Sequence, residues 1–317
     1  MQVINSLMNK CGLASIQLAN IFLDLEVGNR IPTVTEISKE FSLPRGTVQN
    51  AIKNLSDLGA IKLQSKGYQG TILKEKNTKI LLEVMGVTDL AGIMPFPYSR
   101  RHEGLASGLT KTLENREIPV YIAYMRGAVK RMKMVEQGRY DFVIVSRLSA
   151  TRYIKEHDDL MILMNFGKYS YISKHVVCFK NPKDKTIKSG MKVGLDEVSS
   201  DTLEITKKLC QNKKIEFVPM EYYQAIDKVI KGEIDAVITN VDEINDKGTN
   251  VHFEDIKDYW DGYDNEAVVV VLKDSMIPID YLKKSIDKKV VLDTQKLVIN
   301  KKLRLLWATQ VAFLMHN

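Results

Sequence analysis

The sequence lacks most of the features that mark exported, membrane-spanning and disulfide-bonded proteins. Its 317 residues include three cysteines, whose scattered positions fit neither a disulfide framework nor a CxxC motif. The longest apolar runs, such as residues 267–272, are far shorter than the roughly 18 residues that a membrane-spanning helix needs. Asp24 and Glu26 stand where an export signal would be apolar. We therefore expect a cytoplasmic protein that does not enter a membrane.

The usual signatures of catalytic and cofactor sites are also missing. The five histidines are dispersed, without a metal-ligand spacing such as HExxH. The sequence has no GxSxG nucleophile motif, no phosphate-binding P-loop and no GxGxxG after a predicted strand. We therefore predict no catalytic residue, no metal site and no cofactor.

Positive charge is concentrated in one short part of the chain. The whole sequence carries 46 Lys and Arg against 39 Asp and Glu, a net charge of +7. Residues 41–74 alone carry five basic side chains and one acid, a net charge of +4. A local excess of this kind favours a polyanionic partner such as nucleic acid.

The same part of the chain shows the pattern of three helices and a hairpin. Apolar residues within 18–25 recur at helical spacing. A second helix begins near Thr33 or Thr35, and a glutamate three residues after Thr33 completes a capping box. A third helix covers about 45–58, and a glycine-containing hairpin occupies 60–73.

This order of elements predicts a winged helix-turn-helix over residues 1–78, with double-stranded DNA as its partner. The third helix would enter the major groove, where Arg, Gln and Asn pair with base edges, and the wing would contact phosphates or the minor groove. The alternatives are a helical bundle with a solvated polar face and a head that binds a protein. The candidate DNA contacts are Thr33, Arg45, Thr47, Gln49, Asn50, Lys53, Lys66 and Tyr68.

Three runs in this segment match a known family. They are I-P-T-V-T-E-I at 31–37, L-P-R-G-T-V at 43–48, and N-L with G-A-I between 54 and 61. The segment resembles the winged helix of GntR-type transcription regulators. The resemblance implies DNA contacts by Arg45, Gly46 and Thr47 at the start of the recognition helix, and by Gly67 in the wing. Because such heads work in pairs on palindromic half-sites, we expect a homodimer.

Beyond a polar boundary at 74–79, predicted strands alternate with predicted helices. The strands are 80–85, 90–94, 120–125, 142–145, 176–179, 192–195, 216–220, 236–239 and 267–272, and the helices are 102–113, 128–137, 202–210 and 222–231. This alternation predicts an α/β fold with parallel strands.

An internal repeat indicates that this α/β part has two lobes. V-E-Q-G-R-Y-D-F-V-I at 135–144 recurs as V-I-K-G-E-I-D-A-V-I at 229–238, an offset of 94. Each copy follows a predicted strand and helix, so one βαβ unit occurs twice unless the similarity is chance. We predict a ligand-sensing domain over 79–317. Its first lobe covers about 86–147 plus 262–317 and its second about 165–245, with hinge crossings near 147–165 and 241–266.

Motifs in these lobes are similar to known effector domains. A Gly-x-x-Asp before an apolar strand is found at this place in LysR-type regulators and type II periplasmic binding proteins. The runs at 92–100, 124–128 and 138–147 resemble the bacterial YhfZ family, which joins a GntR-like head to such a domain. The resemblance implies a ligand-sensing transcription regulator.

The position of a ligand follows from the topology of such sheets. Ligands bind beyond the carboxyl ends of the strands, where helix N-termini favour anions. Three of the four candidate loops place an arginine directly after an apolar strand, where it can clamp a carboxylate or phosphate. We therefore predict a small anionic metabolite as effector. The candidate ligand contacts are Tyr98, Ser99, Arg100, Arg126, Gly127, Ser146, Arg147, Ser199, Ser200 and Thr202.

Two alternatives concern the lobes and the C-terminal segment. The scaffold could serve as an enzyme or a plain ligand-binding protein for a small anionic substrate. An enzyme would need a buried acid or base such as Asp196, Asp201 or His175, and no convergent pair is apparent. Residues 278–317 have helical apolar spacing, and they would pack either across the dimer or on their own lobe.

Overall fold

The computed structural model describes residues 10–256 and 263–300, which fall into two compact units. The first unit contains the chain up to Leu90 together with residues 113–120 and 274–285, and the second contains the remainder. In chain order the elements of the first unit begin with α1 (Lys10–Asp24), α2 (Val34–Glu40), α3 (Arg45–Asp57), β1 (Ile61–Ser65) and β2 (Thr71–Lys76). These five elements, here called the head, form the expected helix-turn-helix with a two-stranded wing.

The head folds as its local sequence dictates. Thr33 is the N-cap of α2: its hydroxyl accepts from the Glu36 N–H at 3.2 Å, and the Glu36 carboxylate accepts from the Thr33 N–H at 2.6 Å. This capping box satisfies two backbone donors that a helix start leaves free. The apolar faces of the three helices meet in one core, built mainly from Leu18, Phe22, Ile37, Val48 and Leu55.

The strand predicted directly after the hairpin is wrong. Residues 80–85 were predicted as a strand, but Thr78–Val84 forms α4, with the Asn77 side chain accepting from the Ile80 N–H at 3.1 Å. A short apolar run fits either a strand or a buried helix, and the asparagine cap determines the outcome. The boundary at 74–79 accordingly contains the end of β2 and the start of α4.

The remaining elements run in chain order through two sheets. They are β3 (Leu90–Met94), α5 (Arg100–Glu114), β4 (Val120–Tyr124), α6 (Ala128–Glu136), β5 (Phe142–Ser146), α7 (Arg147–Ile154), β6 (Leu160–Asn165), β7 (His175–Phe179), β8 (Lys192–Leu195), α8 (Ser200–Leu209), β9 (Glu216–Pro219), α9 (Ala225–Ile230), β10 (Ala236–Asn240), α10 (Val241–Lys247), β11 (His252–Asp255), β12 (Ala267–Leu272), α11 (Ile279–Ser285) and α12 (Lys288–Ile299).

Each sheet has five strands and the same internal order. The first lobe has the order β4-β3-β5-β12-β6, and the second lobe has the order β9-β8-β10-β7-β11. In both lobes the third strand is parallel to the second and antiparallel to the fourth. The fold is therefore α/β with two lobes, as the repeat indicated.

The repeat itself corresponds to one structural device used twice. Gly138 and Gly232 end the preceding helices with φ of +68° and +73°, a left-handed conformation that favours glycine. Asp141 then accepts from the Ala91 N–H at 2.7 Å, and Asp235 accepts from the Lys192 N–H at 2.8 Å. Each aspartate thus ties its own strand to the start of the neighbouring strand.

The lobes extend beyond the predicted ranges. Residues 147–165 are not a crossing, because α7 covers 147–154 and β6 pairs with β12 in the first sheet. The run of Leu and Met in β6 contains one β-branched residue, Ile162, so its composition did not indicate a strand. The chain passes between the lobes at 166–174, and β11 belongs to the second sheet whereas β12 belongs to the first.

Helix α12, in the described part of the C-terminal segment, packs on its own lobe. An added Cβ at Gly108 of α5 would lie 2.6 Å from the Val291 carbonyl oxygen of α12, so glycine permits the two helices to touch. Gly104 is equally close to Gln295 of α12. The apolar positions predicted beyond residue 300 (Leu303, Leu306, Trp307, Phe313 and Leu314) lie outside the described residues.

Candidate functional site

The outward face of α3 carries the side chains predicted to contact DNA. Val48, Ala51 and Leu55 are buried against the rest of the head. On the opposite face Arg45, Gly46, Gln49, Asn50 and Lys53 are exposed, whereas Thr47 is half-buried. Helical periodicity separates these two faces, so the polar residues form one surface.

The wing presents the second group of predicted contacts. Gly67–Gln69 forms a single turn between the two strands, and Gly67 has a φ of +54°. Lys66 is exposed, and the Tyr68 side chain is 96% exposed at the tip. Thr33 is also exposed, but its hydroxyl already caps α2. Tyrosine is enriched where proteins contact partners, so the position suits a contact residue.

A cavity of about 90 Å³ lies between the two lobes. Six of the ten predicted ligand contacts line it: Tyr98, Arg126, Gly127, Ser199, Ser200 and Thr202. These residues follow the carboxyl ends of β3, β4 and β8, as the topology of such sheets requires. At Gly127, with φ of +87°, an added Cβ would lie 2.8 Å from Val198 of the second lobe, so the lobes approach closely there.

The other four predicted contacts do not line the cavity. Ser146 caps α7 and donates to Asp201 at 2.6 Å, and Ser99 is buried beside the site. Arg147 pairs with Glu266 at 3.0 Å, and Arg100 pairs with Asp246 at 3.7 Å. Their role as ligand contacts stays a prediction that this arrangement does not favour.

Arg126 lines the cavity but is already engaged. Its guanidinium donates to both carboxylate oxygens of Asp196 at 3.1 Å and pairs with Glu221 at 2.8 Å. Arg126 belongs to the first lobe and both acids belong to the second. In this state the arginine therefore joins the two lobes.

Sequence reasoning missed Arg131, a buried arginine of α6 that also lines the cavity. The residue is 3% exposed, its Nη1 donates to the Met125 carbonyl at 2.7 Å, and it shares a hydrogen bond with Tyr171. Its Nε has no partner among the described residues. Burial lowers the pKa of the guanidinium, while Tyr171 and Asp201 act in the opposite direction. Its place on the apolar face of α6, beside Ala128 and Val135, was the available signal.

His102 of α5 is a second lining residue that the sequence did not reveal. It is 5% exposed, its ring meets the Tyr171 ring edge-on at 4.9 Å, and neither ring nitrogen has a partner among the described residues. Burial lowers the pKa of His102 to about 4, so the imidazole is neutral at neutral pH. A buried neutral imidazole keeps one donor and one acceptor.

The residues considered for an enzyme are held by partners. Asp196 accepts from Arg126, Asp201 accepts from Ser146 and Ser149, and His175 lies 2.7 Å from Asp264. Within residues 10–256 and 263–300 no cluster of three potential metal ligands occurs. In those same ranges no helix has the length and apolarity to cross a membrane.

Comparisons with known proteins agree with this architecture. The YhfZ C-terminal domain model matches residues 77–304, and a helix-turn-helix domain model matches residues 26–73. The YhfZ protein of Escherichia coli (strain K12) is 34% identical over 234 residues, which are 74% of this chain and 76% of that protein. The crystal structure of YhfZ from Shigella flexneri is 31% identical, with a TM-score of 0.56, and the match covers 71% of this chain and 96% of that one.

A more distant likeness concerns the fold alone. An ancestral arginine-binding protein, solved with arginine bound, is 16% identical with a TM-score of 0.50 over 67% of this chain and 97% of that one. The two-lobed part thus has the fold of a substrate-binding protein. The family model of the YhfZ C-terminal domain matches most of this chain, and a helix-turn-helix model matches the head. The chain therefore belongs to the YhfZ family.

Proposed function

We propose that this protein is a cytoplasmic, homodimeric transcription regulator with a GntR-like head that binds a DNA operator, and that its lobes sense a small anionic metabolite. A helix-turn-helix domain joined to a binding-protein-like fold points to a regulator rather than an enzyme. The single observation that carries the proposal is the exposed polar face of α3, where Arg45, Gln49, Asn50 and Lys53 lie side by side.

The chemistry of that face suits duplex DNA. Gln49 and Asn50 have amide groups that can pair with adenine, and Arg45 can pair with guanine or a phosphate. Lys53 supplies a positive charge, which positions a protein on phosphates without specifying sequence. The exposed Lys66 and Tyr68 at the wing tip extend the same surface toward the DNA backbone. Two such heads would read two half-sites of a palindromic operator.

The anionic character of the effector is supported by Arg131. A guanidinium removed from water costs several kcal/mol unless a partner compensates it. Among the described residues no carboxylate lies within ion-pair distance of Arg131, although Asp201 is near enough to influence its pKa. A bound anion would supply the missing partner.

The contacts between the lobes suggest how a ligand could act. Arg101, Arg126 and Arg152 of the first lobe pair with Asp242, Asp196 and Glu204 of the second. Every one of these pairs places the cation on the first lobe, so the two surfaces attract each other. A ligand that favours this closed state by ~1–3 kcal/mol would change DNA affinity about 5- to 150-fold.

DNA binding is tested by fluorescence anisotropy of the full chain with the duplex upstream of its own gene. We expect binding that weakens steeply with salt, and Arg45→Ala and Lys53→Ala should each weaken it and lower the salt slope by about one. Lys185→Ala, which removes an exposed cation from the second lobe, is the matched control. If the wild-type chain shows no salt-dependent binding to any duplex, the head instead binds a protein and the proposal is wrong.

A further inference from the structure

The cavity contains hydrogen-bonding groups that the protein leaves unused. Arg131 Nε and both nitrogens of His102 are buried, belong to residues that line the cavity, and have no partner within the described chain. A buried donor or acceptor without a partner is costly, and native proteins rarely leave several in one place. Three such atoms at one cavity therefore indicate a ligand that satisfies them.

The acids at the cavity are, by contrast, already satisfied. The Asp196 carboxylate accepts twice from Arg126, and the Asp201 carboxylate accepts from Ser146 at 2.6 Å and from Ser149 at 2.7 Å. A cationic ligand would have to displace these donors, whereas an anion can add to Arg131 directly. The charged group that still has an unpaired donor at this cavity is therefore Arg131, which suits an anionic ligand.

The unpaired nitrogens of His102 narrow the chemistry that the ligand must have. A neutral imidazole has one N–H donor and one bare nitrogen, and both are unpaired here. The two ring nitrogens point away from each other, so one small ligand can pair with only one of them. A carboxylate that accepts from Arg131 Nε can carry a neighbouring hydroxyl or amino group that donates to the bare nitrogen, and a simple carboxylate has no such donor.

The size of the cavity limits the ligand further. At about 90 Å³, against roughly 10–15 Å³ for one buried water, the cavity suits a small ligand. The Tyr98 and Tyr222 rings, 5.2 Å apart, form part of the wall and leave an apolar surface for the remainder of the ligand.

We infer that Arg131 and His102 form a receptor for a small carboxylate that carries a hydroxyl or amino group next to its carboxylate. This inference rests on the proposed sensing role of the lobes and is independent of DNA binding by the head. In this inference Arg131 binds the carboxylate of the ligand, in place of the arginines that the sequence predicted after the strands. Arg126 instead joins the two lobes beside the ligand.

The test is calorimetric titration of the full chain with two matched sets of acids. One set is propionate, lactate and alanine, and the other is isovalerate, 2-hydroxyisovalerate and valine. In at least one set we expect the hydroxy acid or the amino acid to bind about tenfold or more tightly than the parent acid, because only they donate to His102. The better of the two distinguishes a hydroxy acid from an amino acid as the natural class.

Two variants and one control assign the residues. Arg131→Lys should weaken binding of the preferred acid at least about thirtyfold. His102→Phe keeps a ring against Tyr171 and should bring the three acids of a set to within about threefold of one another. It should also leave the thermal midpoint of the free protein unchanged or raised, because it removes two unpaired buried nitrogens. Lys133→Met removes an exposed cation from the same helix and should bind as the wild type does.

The inference is overturned if parent acids bind as tightly as their derivatives, if Arg131→Lys keeps full affinity, or if none of the six acids binds. Should Arg131→Lys fail to fold, the selectivity of His102→Phe still decides the outcome. DNA anisotropy on the same preparations reports the head separately. Loss of acid binding with intact DNA binding therefore rejects the receptor alone, whereas the reverse result rejects the proposed regulator.

Discussion

The head and the interlobe cavity both present arginines to a prospective partner, yet they do so in opposite ways. On α3 the polar side chains are exposed, close together in sequence and supported by a separate apolar face. At the cavity they come from α5, α6, α8, the crossing segment and the loop after β4, and they are buried or half-buried. The candidate site on the head is thus formed by one helix, whereas the candidate site at the cavity depends on which buried groups from several elements lack a partner.

The same residue type therefore has different consequences in the two regions. Arg45 is exposed and donates to Thr35 at 2.6 Å, so water can replace that contact at little cost. Arg126 and Arg131 are engaged with carboxylates, a carbonyl and a phenol inside the molecule. Substitutions in the head should therefore be nearly additive, and substitutions at the cavity should be strongly coupled.

The largest expected effect concerns Asp201. Asp201→Ala leaves the buried hydroxyl of Ser146 without its acceptor and leaves that of Ser149 only its contact with Ser200, which should lower the free energy of unfolding by about 4 kcal/mol in urea titrations. Combining it with Ser149→Ala should cost clearly less than the two single losses together. Asp293→Ala, at an exposed carboxylate, is the control. Strict additivity of the pair would contradict the coupling described above.

A slightly smaller effect is expected from pH. Because burial lowers the pKa of His102 from 6.5 to about 4, against the opposing effect of Asp242, the unfolded chain binds more protons between these values. Stability is thus fully present above pH 6.5 and falls by about 3 kcal/mol as the pH is lowered toward 4.

Thermal midpoints across that window provide the measurement for His102. His102→Phe should flatten the profile between pH 6.5 and 4 relative to the wild type, because phenylalanine does not titrate. The variant leaves every other titrating group in place and so isolates this imidazole. An unchanged slope would show that His102 is accessible to protons in the folded chain.

On the head, base contacts and phosphate contacts should separate. Gln49→Ala should cost about 2 kcal/mol of binding to the operator and little on random duplex, whereas Lys53→Ala should weaken both and reduce the salt slope. The double variant should lose the sum of the two. Anisotropy titrations at several salt concentrations give all three values, and a strongly non-additive result would mean that the α3 face rearranges on binding.

Lys76 tests whether the head has any buried charge of its own. Its ammonium donates to the carbonyls of Phe22, Leu23 and Leu25 at the end of α1, at 3.2, 2.6 and 2.8 Å. Lys76→Met should destabilise the first unit by about 1.5 kcal/mol and speed hydrogen exchange in α1. Lys74→Met, at an exposed neighbour on the same strand, should do neither.

The smallest effect should come from Arg152. Its pair with Glu204 joins the lobes, but both side chains are more than a third exposed. Arg152→Ala should change the free energy of unfolding by less than about 0.5 kcal/mol, because solvent and salt screen such pairs. A loss comparable to that of Asp201→Ala would show that the lobes are held by surface charge rather than by the buried network.

The sequence predicts a region well where local patterns determine its structure, and poorly where contacts between distant segments do. The strands at 90–94, 142–145, 176–179, 192–195, 236–239 and 267–272 were predicted correctly because runs of buried apolar residues lie between clear turns. The capping box located α2, and the Gly-x-x-Asp repeat located β5 and β10. By contrast β6 and β11 were missed, since the apolar run of β6 is mostly Leu and Met and β11 is mostly polar.

The cavity was predicted only where loop position determines it. Tyr98, Arg126 and Gly127 follow strands of the first sheet, so topology alone places them at the cleft. Arg131 and His102 lie within helices, where the only local signal was the position of Arg131 on the apolar face of α6. Their importance depends on Tyr171, which is far from both in sequence and packs against both in the fold.

By itself, the sequence determined the helix-turn-helix, the two-lobed α/β architecture and the polar face of α3, because capping, periodicity and turn chemistry act over a few neighbouring residues. Only the tertiary structure decided which polar groups are paired. In it Arg126 forms an ion pair with Asp196, while Arg131 Nε and the His102 nitrogens have no partner among the described residues. Pairing of buried groups depends on distances between segments remote in the chain, and no local pattern encodes those distances.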